Sequence, residues 1–341
     1  MSTPVAPVAA VAGGTPTTTS MREALNSALA GALALDPAVF LIGEDLADPG
    51  GGISQVTKGL STAFGTNRVR DTPISEVAIV GAAIGAALGG LRPVAEVMIM
   101  DFISIAFDQL VNHAAKARFM SGGKVGAPLT VRTAVFGGIG SGATHSQSLE
   151  AWLTHVPGLK VVVPSTPADA KGLLTTCIFD DDPCVFIENV ALYGTKGPVP
   201  DGDHRVPLGV ADIKRPGRDV TIVTYGRTVR DSLAAAETLS GEGIDAEVVD
   251  LRSLVPFDAS TVLASVARTR RVVVAHHATR FCGFGAEVAA LINEELFGEL
   301  DAPVARVGAR FAPIGSAPVL EVAVLPSAAS IADAVRHVVG R

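Results

Sequence analysis

From Ser20 onward the chain alternates between short continuous apolar runs and longer stretches whose apolar residues recur every three or four positions. The short runs read as buried strands and the longer period as helix. Ser20-Met21-Arg22-Glu23 has capping-box spacing and predicts a helix to about Leu35. Val39 to Ile42 predicts a strand that ends in Gly43-Glu44-Asp45. In the polar turn Asp71-Thr72-Pro73-Ile74-Ser75-Glu76, Ser75 is placed to cap the next helix. That helix has glycine at 81, 85 and 89 on one face, a stripe that lets another backbone approach closely. Its uncharged stretch, Val77 to Leu91, is shorter than the ~20 residues a membrane span needs. Val94 to Met100 reads as a strand, and one helix is expected from about Ile103 to Met120. Further strands are predicted at 128–136 and 184–187, a turn and strand over 157–164, and helices at 149–154 and from Pro167, capped by Thr166, to about Phe179.

Beyond a Gly- and Pro-rich stretch at 191–218 the alternation resumes. Strands are predicted at 220–225, 245–250, 271–275 and 303–307, with helices at 229–240, 258–267, 285–296 and 329–338. Strand–helix alternation makes parallel sheets with right-handed crossovers, so the expected fold is α/β with two parallel-sheet domains. The expected division is a flexible tail at 1–19, a first domain at 20–190, a linker at 191–218 and a second domain at 219–341.

Composition narrows the function. With 48% hydrophobic and 18% charged residues, the chain suits buried parallel strands. A net charge of −7 without a basic cluster argues against nucleic acid as a partner. The three cysteines, at 177, 184 and 282, lack metal-binding spacing and fit a reducing compartment. No basic-then-apolar leader precedes the first helix, so a cytoplasmic location is expected.

Chemistry-bearing residues fall at the carboxyl ends of the predicted strands, where open α/β sheets bind ligands. Glu76 opens an otherwise uncharged helix, and Asp101-Phe102 follows the strand at 94–100. Residues 137–148, GGIGSGATHSQS, form a loop whose backbone freedom is costly to hold, which points to closure on a ligand. His145 near its end carries an imidazole, which can donate and accept protons near neutral pH. Asp180-Asp181-Asp182 reads as a solvated turn, and His113 as a packing residue. His276 and His277 are adjacent on a predicted strand end, where neighbours point to opposite faces, so a shared metal is not expected.

The strings DTPISE, GAAIGAALGGLRPVAEVM and DQLVNHAAKARFMSGG resemble the beta subunit of the thiamine-diphosphate-dependent first component of 2-oxo acid dehydrogenase complexes. That family includes pyruvate, branched-chain 2-oxo acid and acetoin enzymes of transketolase-like fold, and the resemblance runs from about residue 20 almost to the end. It implies a half-site. The alpha subunit holds the diphosphate and magnesium, and the beta subunit supplies the pocket for the aminopyrimidine ring. Glu76 matches the carboxyl that pairs with the ring nitrogen, Phe102 the aromatic ring that packs on it, and His145 the histidine beside the active site. The Gly-Asp-Gly metal signature is absent, so this chain should not hold the cofactor alone.

The resemblance also implies a structural potassium ion at the Asp180–Asp182 turn, with carbonyls of Leu129, Cys177 and Ile178 and the residues Asp180 and Asp182 as ligands. Implied partners are an alpha subunit, in an assembly of two alpha and two beta chains, and a lipoyl-bearing acyltransferase. The implied reaction is oxidative decarboxylation of a small 2-oxo acid with acyl transfer to the lipoyl group. The alternatives are acetoin cleavage or a non-catalytic assembly role. The chain departs from the family at Ala275–Arg280 and Ala309–Gly315, and both stretches are expected away from the half-site.

Overall fold

The computed structural model describes residues 16–340. The first domain runs β1 (Thr17–Ser20), α1 (Met21–Leu35), β2 (Val39–Gly43), α2 (Leu60–Phe64), β3 (Val69–Asp71), α3 (Glu76–Leu88) and β4 (Arg92–Val97). A 3-10 turn (Met100–Ser104) and a π-helical turn (Gln109–Ala114) lead to α4 (Ala117–Met120). Then come β5 (Thr130–Val135), α5 (Glu150–Thr154), β6 (Lys160–Val162), α6 (Pro167–Ile178) and β7 (Cys184–Asn189). Strands β8 (Lys196–Val199) and β9 (Asp212–Arg215) lie in the connecting stretch. The second domain runs β10 (Val220–Thr224), α7 (Thr228–Ser240), β11 (Ala246–Asp250), β12 (Ser253–Val255), α8 (Ala259–Thr269) and β13 (Val272–Thr279). It ends with α9 (Gly285–Leu296), β14 (Ala305–Ala309), α10 (Pro318–Val324) and α11 (Ala328–Val338).

Local signals in the sequence explain several boundaries. The Ser20 hydroxyl accepts from Glu23 N and the Glu23 carboxylate accepts from Ser20 N at 2.8 Å, closing the capping box of α1. Thr166 caps α6, with Pro167 at its first turn. Ser75 holds the capping position of α3 but makes no capping bond; its φ of −165° and ψ of 82° depart from capping geometry. The helix expected over 103–120 is three short pieces, because the chain turns tightly through 100–104 before entering the π-helical turn.

The seven strands of the larger sheet follow the order β12-β6-β7-β5-β4-β2-β3, and all pairings are parallel except β12 with β6. The second sheet is five-stranded, β14-β13-β10-β11-β9, with only β9 antiparallel. The stretch expected to be a plain linker therefore contributes β9 to the second sheet. Its β8 also pairs with β1, so Thr17–Ser20 is strand rather than tail; residues 1–15 of the expected tail lie outside the described residues. The second domain lends β12 to the first sheet.

One apolar cluster joins Ile79, Ile84, Met100, Leu110 and Leu153 of the first domain to Val223, Tyr225, Leu254 and Phe284 of the second. The opposite face of the first sheet packs α1 and α6 through Leu25, Leu29, Leu173 and Phe186. Burial of that extent fastens the second domain against the first. In mid-sheet, Arg132 sits between Glu96 and Glu188, its Nε 2.7 Å from Glu188 Oε1. Burial works against the guanidinium's charge, yet Glu188 and Glu96 together raise its pKa; burial in turn pushes Glu96 up. Residues 318–338 are apolar enough on average to cross a membrane. They form two helices rather than one, separated at Leu325-Pro326-Ser327, and Ile331 and Val335 of α11 are buried in the core of the second domain.

Candidate active site

The carboxyl ends of β3, β2, β4 and β5, four neighbouring strands, carry the candidate residues. With strands about 4.8 Å apart, the four ends span roughly 15 Å. Glu76 opens α3 after β3, Glu44 follows β2, Phe102 sits in the turn after β4, and His145 lies in the loop after β5. Glu76 is 5% exposed. Among the described residues, no group donates a hydrogen bond to its carboxylate. Burial first, then Glu76, push Glu44 above the usual carboxylate range.

Phe102 and His145 meet edge to face, ring centroids 5.3 Å apart. Their contact follows from Asp101, which is buried and accepts from Gln147 Nε2 at 2.8 Å and from Gln147 N at 3.3 Å. That pair ties the turn after β4 to the loop after β5, and Thr144 Oγ1 lies 3.0 Å from His145 Nδ1. The broken helix at 100–120 thus has a function, since an unbroken one starting at 103 would not carry Asp101 and Phe102 to the loop. Chemically, the edge offers a buried carboxylate awaiting a donor, a ring face and an imidazole. An aromatic heterocycle with a ring nitrogen fits that set.

A Cβ at Gly85 would meet nothing within 4 Å and one at Gly81 only the Gln109 side chain, whereas one at Gly89 would press on the carbonyls of Ala86 and Gly85. With Ile84, Leu88, Gln109, Asn112 and Met120, Gly81 and Gly85 line an open groove of about 680 Å³. His113 is exposed in that groove, 3.7 Å from Asp108, rather than packed in a core.

The Asp180–Asp182 turn lies at the other edge of the sheet, where β7 begins. Its carboxylates were expected to face a cation of their own. Instead Lys160 Nζ holds both oxygens of Asp180 at 2.6 Å, Arg92 pairs with Asp181, and Arg118 Nε lies 2.6 Å from Asp182. The side chains of Asp180 and Asp182 are therefore spent on protein cations, leaving main-chain carbonyls as donors. Among the described residues no group of three His, Cys, Asp or Glu could hold a metal.

The second domain reaches the site, contrary to expectation. Ser148 Oγ lies 3.1 Å from His277 Nδ1, and Arg227 donates to the Gly137 carbonyl at 3.1 Å. The Glu321 carboxylate accepts from Gly138 N at 2.6 Å and from Gly140 N at 3.1 Å. Tyr225 donates to Glu150 just after the loop, and His276 stacks on Tyr225 at 5.9 Å. Burial, with Arg227 and His276 adding to it, lowers His277 to about 3; burial lowers His276 to about 4. Both rings are neutral at pH 7 and make separate contacts, as their opposite orientations on β13 require. The departure at 275–280 is therefore beside the glycine-rich loop through His277, and Ser316, just past the one at 309–315, lies by Gly140. Sequence reasoning passed over Glu321 and Arg227; the one signal was a lone carboxylate in the apolar run Pro318-Val319-Leu320-Glu321-Val322.

Residues 17–196 match the transketolase pyrimidine-binding domain and residues 209–331 the transketolase C-terminal domain. The chain is 47% identical over 326 residues to the beta subunit of acetoin:2,6-dichlorophenolindophenol oxidoreductase of Cupriavidus necator, covering 93% of this chain and 96% of that one. It is 46% identical over 310 residues to the beta subunit of 2-oxoisovalerate dehydrogenase of Pseudomonas aeruginosa, covering 86% and 87%. With the mitochondrial pyruvate dehydrogenase E1 beta subunit of Drosophila melanogaster it shares 44% identity over 326 residues, covering 94% and 89%. Among solved structures, a split-gene transketolase described as an inactive β4 tetramer superposes with a TM-score of 0.77 at 25% identity, covering 96% of this chain and 99% of that one.

Proposed function

The chain belongs to the transketolase-like beta subunits of E1 components of 2-oxo acid dehydrogenase complexes, and from that premise we propose the roles of its site residues. As a member it is an oxidoreductase subunit of a thiamine-diphosphate-binding family, and it works with an alpha subunit. The observation that carries the site assignment is the buried Glu76 carboxylate, which lacks a donor among the described residues.

Glu76 shares a proton with the pyrimidine ring nitrogen of thiamine diphosphate, and Phe102 orients the ring by packing on its face. Bound thiamine diphosphate supplies the carbanion that attacks a 2-oxo carbonyl and accepts the electron pair left when carbon dioxide departs. His145 sits where an imidazole can move a proton at the substrate oxygen or at the dihydrolipoyl sulfur. Two beta and two alpha chains assemble around the site, with the open glycine groove of α3 taking a neighbouring helix. The alpha chain holds the diphosphate and magnesium, and a lipoyl-bearing acyltransferase receives the acyl group. Three free cysteines fit a cytoplasmic location.

A small 2-oxo acid is the substrate on this reading. The 47% identity to an acetoin oxidoreductase subunit favours acetoin as the second reading. The deciding experiment purifies the chain alone and with its alpha partner, then assays pyruvate, branched 2-oxo acids and acetoin. The expected result is no turnover from the chain alone and thiamine-dependent turnover from the complex. Robust thiamine-dependent activity from the isolated chain would overturn the half-site.

Potassium belongs at the Asp180–Asp182 turn, held by main-chain carbonyls of Leu129, Cys177 and Ile178 rather than by the paired carboxylates. Hard oxygen donors at a helix end suit such an ion. Potassium is expected to raise the melting temperature above that in tetramethylammonium of equal ionic strength. Superimposable melting curves would remove the ion from the account.

A further inference from the structure

We propose that Glu321, on α10 of the second domain, is a positioning residue: its carboxylate pins the glycine-rich loop and so sets where the His145 ring stands. The inference rests on the reading of His145 given above. Glu321 is 7% exposed although its helix is otherwise largely open to solvent, with Val319 and Val322 about three-quarters exposed at 75% and 76%. The single acid of α10 is turned inward, and it faces the N–H groups of Gly138 and Gly140.

Those two glycines need a clamp. Gly138 and Gly140 have φ of +98° and +80°, so the loop takes a path that side-chain-bearing residues rarely follow. Glycine also loses the most backbone entropy on being fixed. Space demands the same residues, since a Cβ on Gly138 would collide with Arg227 Nη1. A carboxylate accepting from main-chain N–H groups makes charge-assisted bonds, stronger than neutral ones. Buried, it is also costly to leave unpaired, so loop and clamp hold one another.

The held segment leads directly to the reacting edge. Beyond Gly142 come Thr144 and His145, whose ring meets Phe102, and Gln147, which is fixed by Asp101. The loop is therefore pinned at both ends, by Glu321 at Gly138–Gly140 and by Asp101 at Gln147, with His145 between them. Releasing the first pin frees the histidine without touching it. Among the described residues the Glu321 carboxylate bonds only to main-chain N–H groups of the loop, so its effect passes through His145.

The test is a double-mutant cycle in the complex with the alpha partner. Glu321→Ala is expected to lower turnover by about 10²-fold, the scale on which small misplacements act. In a His145→Ala background the same change is expected to cost under about 2-fold, because the group it positions is gone. Glu321→Gln keeps the shape and one acceptor oxygen, and should recover most of the loss. Equal losses in both backgrounds would make Glu321 an ordinary structural residue and end the proposal. Should Glu321→Ala fail to assemble, the cycle is run with Glu321→Met, which keeps the side chain's length and removes its acceptor oxygens, and the same criterion.

A second readout needs no activity. Amide hydrogen exchange in the full chain should rise at 137–142 in Glu321→Ala and stay unchanged in the second-domain core strands β10 and β13. Unchanged exchange at Gly138 and Gly140 would overturn the clamp even if turnover fell. A wild-type complex inactive on every substrate would instead defeat the functional reading, and the exchange result would still decide whether Glu321 holds the loop.

Discussion

Glu76→Gln is expected to leave the alpha–beta complex assembled and to cut its thiamine-dependent turnover by about 10³-fold, within the range for losing a group that handles a proton. Glutamine has nearly the same shape, so the buried position at the head of α3 stays filled and the core beneath it, Ile79 and Val80, is untouched. The loss is chemical. An amide can hydrogen-bond a ring nitrogen but cannot exchange a proton with it. Two measurements check this. Analytical ultracentrifugation should give the wild-type mass, and steady-state assays should show a collapse in kcat. A fully active Glu76→Gln complex would sink the assignment.

Glu44 sharpens that expectation. Its raised pKa arises from burial and from Glu76, so the two carboxyls share one patch of field. With glutamine at the neighbouring position the second cause disappears, and Glu44 should then ionise at lower pH. The change would appear in the pH dependence of stability. A carboxyl whose folded pKa is raised makes the protein less stable as pH rises through that pKa, and removing part of the raise weakens the loss.

Much of the fold was legible because the signals were local. The capping box at Ser20 and Glu23, the Thr166-Pro167 start and the apolar runs of β2, β5 and β7 each depend on residues adjacent in sequence. What escaped depends on partners far along the chain. Strand β8 exists because Lys196–Val199 finds Thr17–Ser20, and β12 because Ser253–Val255 reaches β6 in the other domain. The 3-10 turn at Met100–Ser104 is tied to a distant partner in the same way, since Asp101 within it accepts from Gln147. No periodicity within 100–120 records that bond.

The site divides along the same line. Phe102 and His145 were readable because each follows a predicted strand, and Glu76 because it opens an uncharged helix; their roles came from the resemblance. The ion pairs of the Asp180–Asp182 turn were not readable, because three successive aspartates carry no sign of where Lys160, Arg92 and Arg118 will lie. The second domain's departures from the family were expected away from the half-site. Its Arg227, His277 and Glu321 come from three separate segments, and only the shared core of the two domains brings them to the glycine-rich loop.

His145→Ala is expected to spare assembly and cofactor affinity and to lower turnover by roughly 10²–10⁴-fold, the usual worth of a positioned general acid–base group. The structural cost is small. The ring is only half-buried, and its contacts are the Phe102 edge and the Thr144 hydroxyl, so truncation leaves no sealed cavity. Phe102 keeps its own place through the 3-10 turn anchored by Asp101 and Gln147, so the pyrimidine pocket survives the change. Two assays separate the roles open to the imidazole. If it serves the substrate oxygen, reduction of an artificial electron acceptor and acyl transfer to a lipoyl domain fall together. If it serves the dihydrolipoyl sulfur, only acyl transfer falls, because the artificial acceptor bypasses that sulfur. Unchanged rates in both assays would reduce His145 to a loop residue.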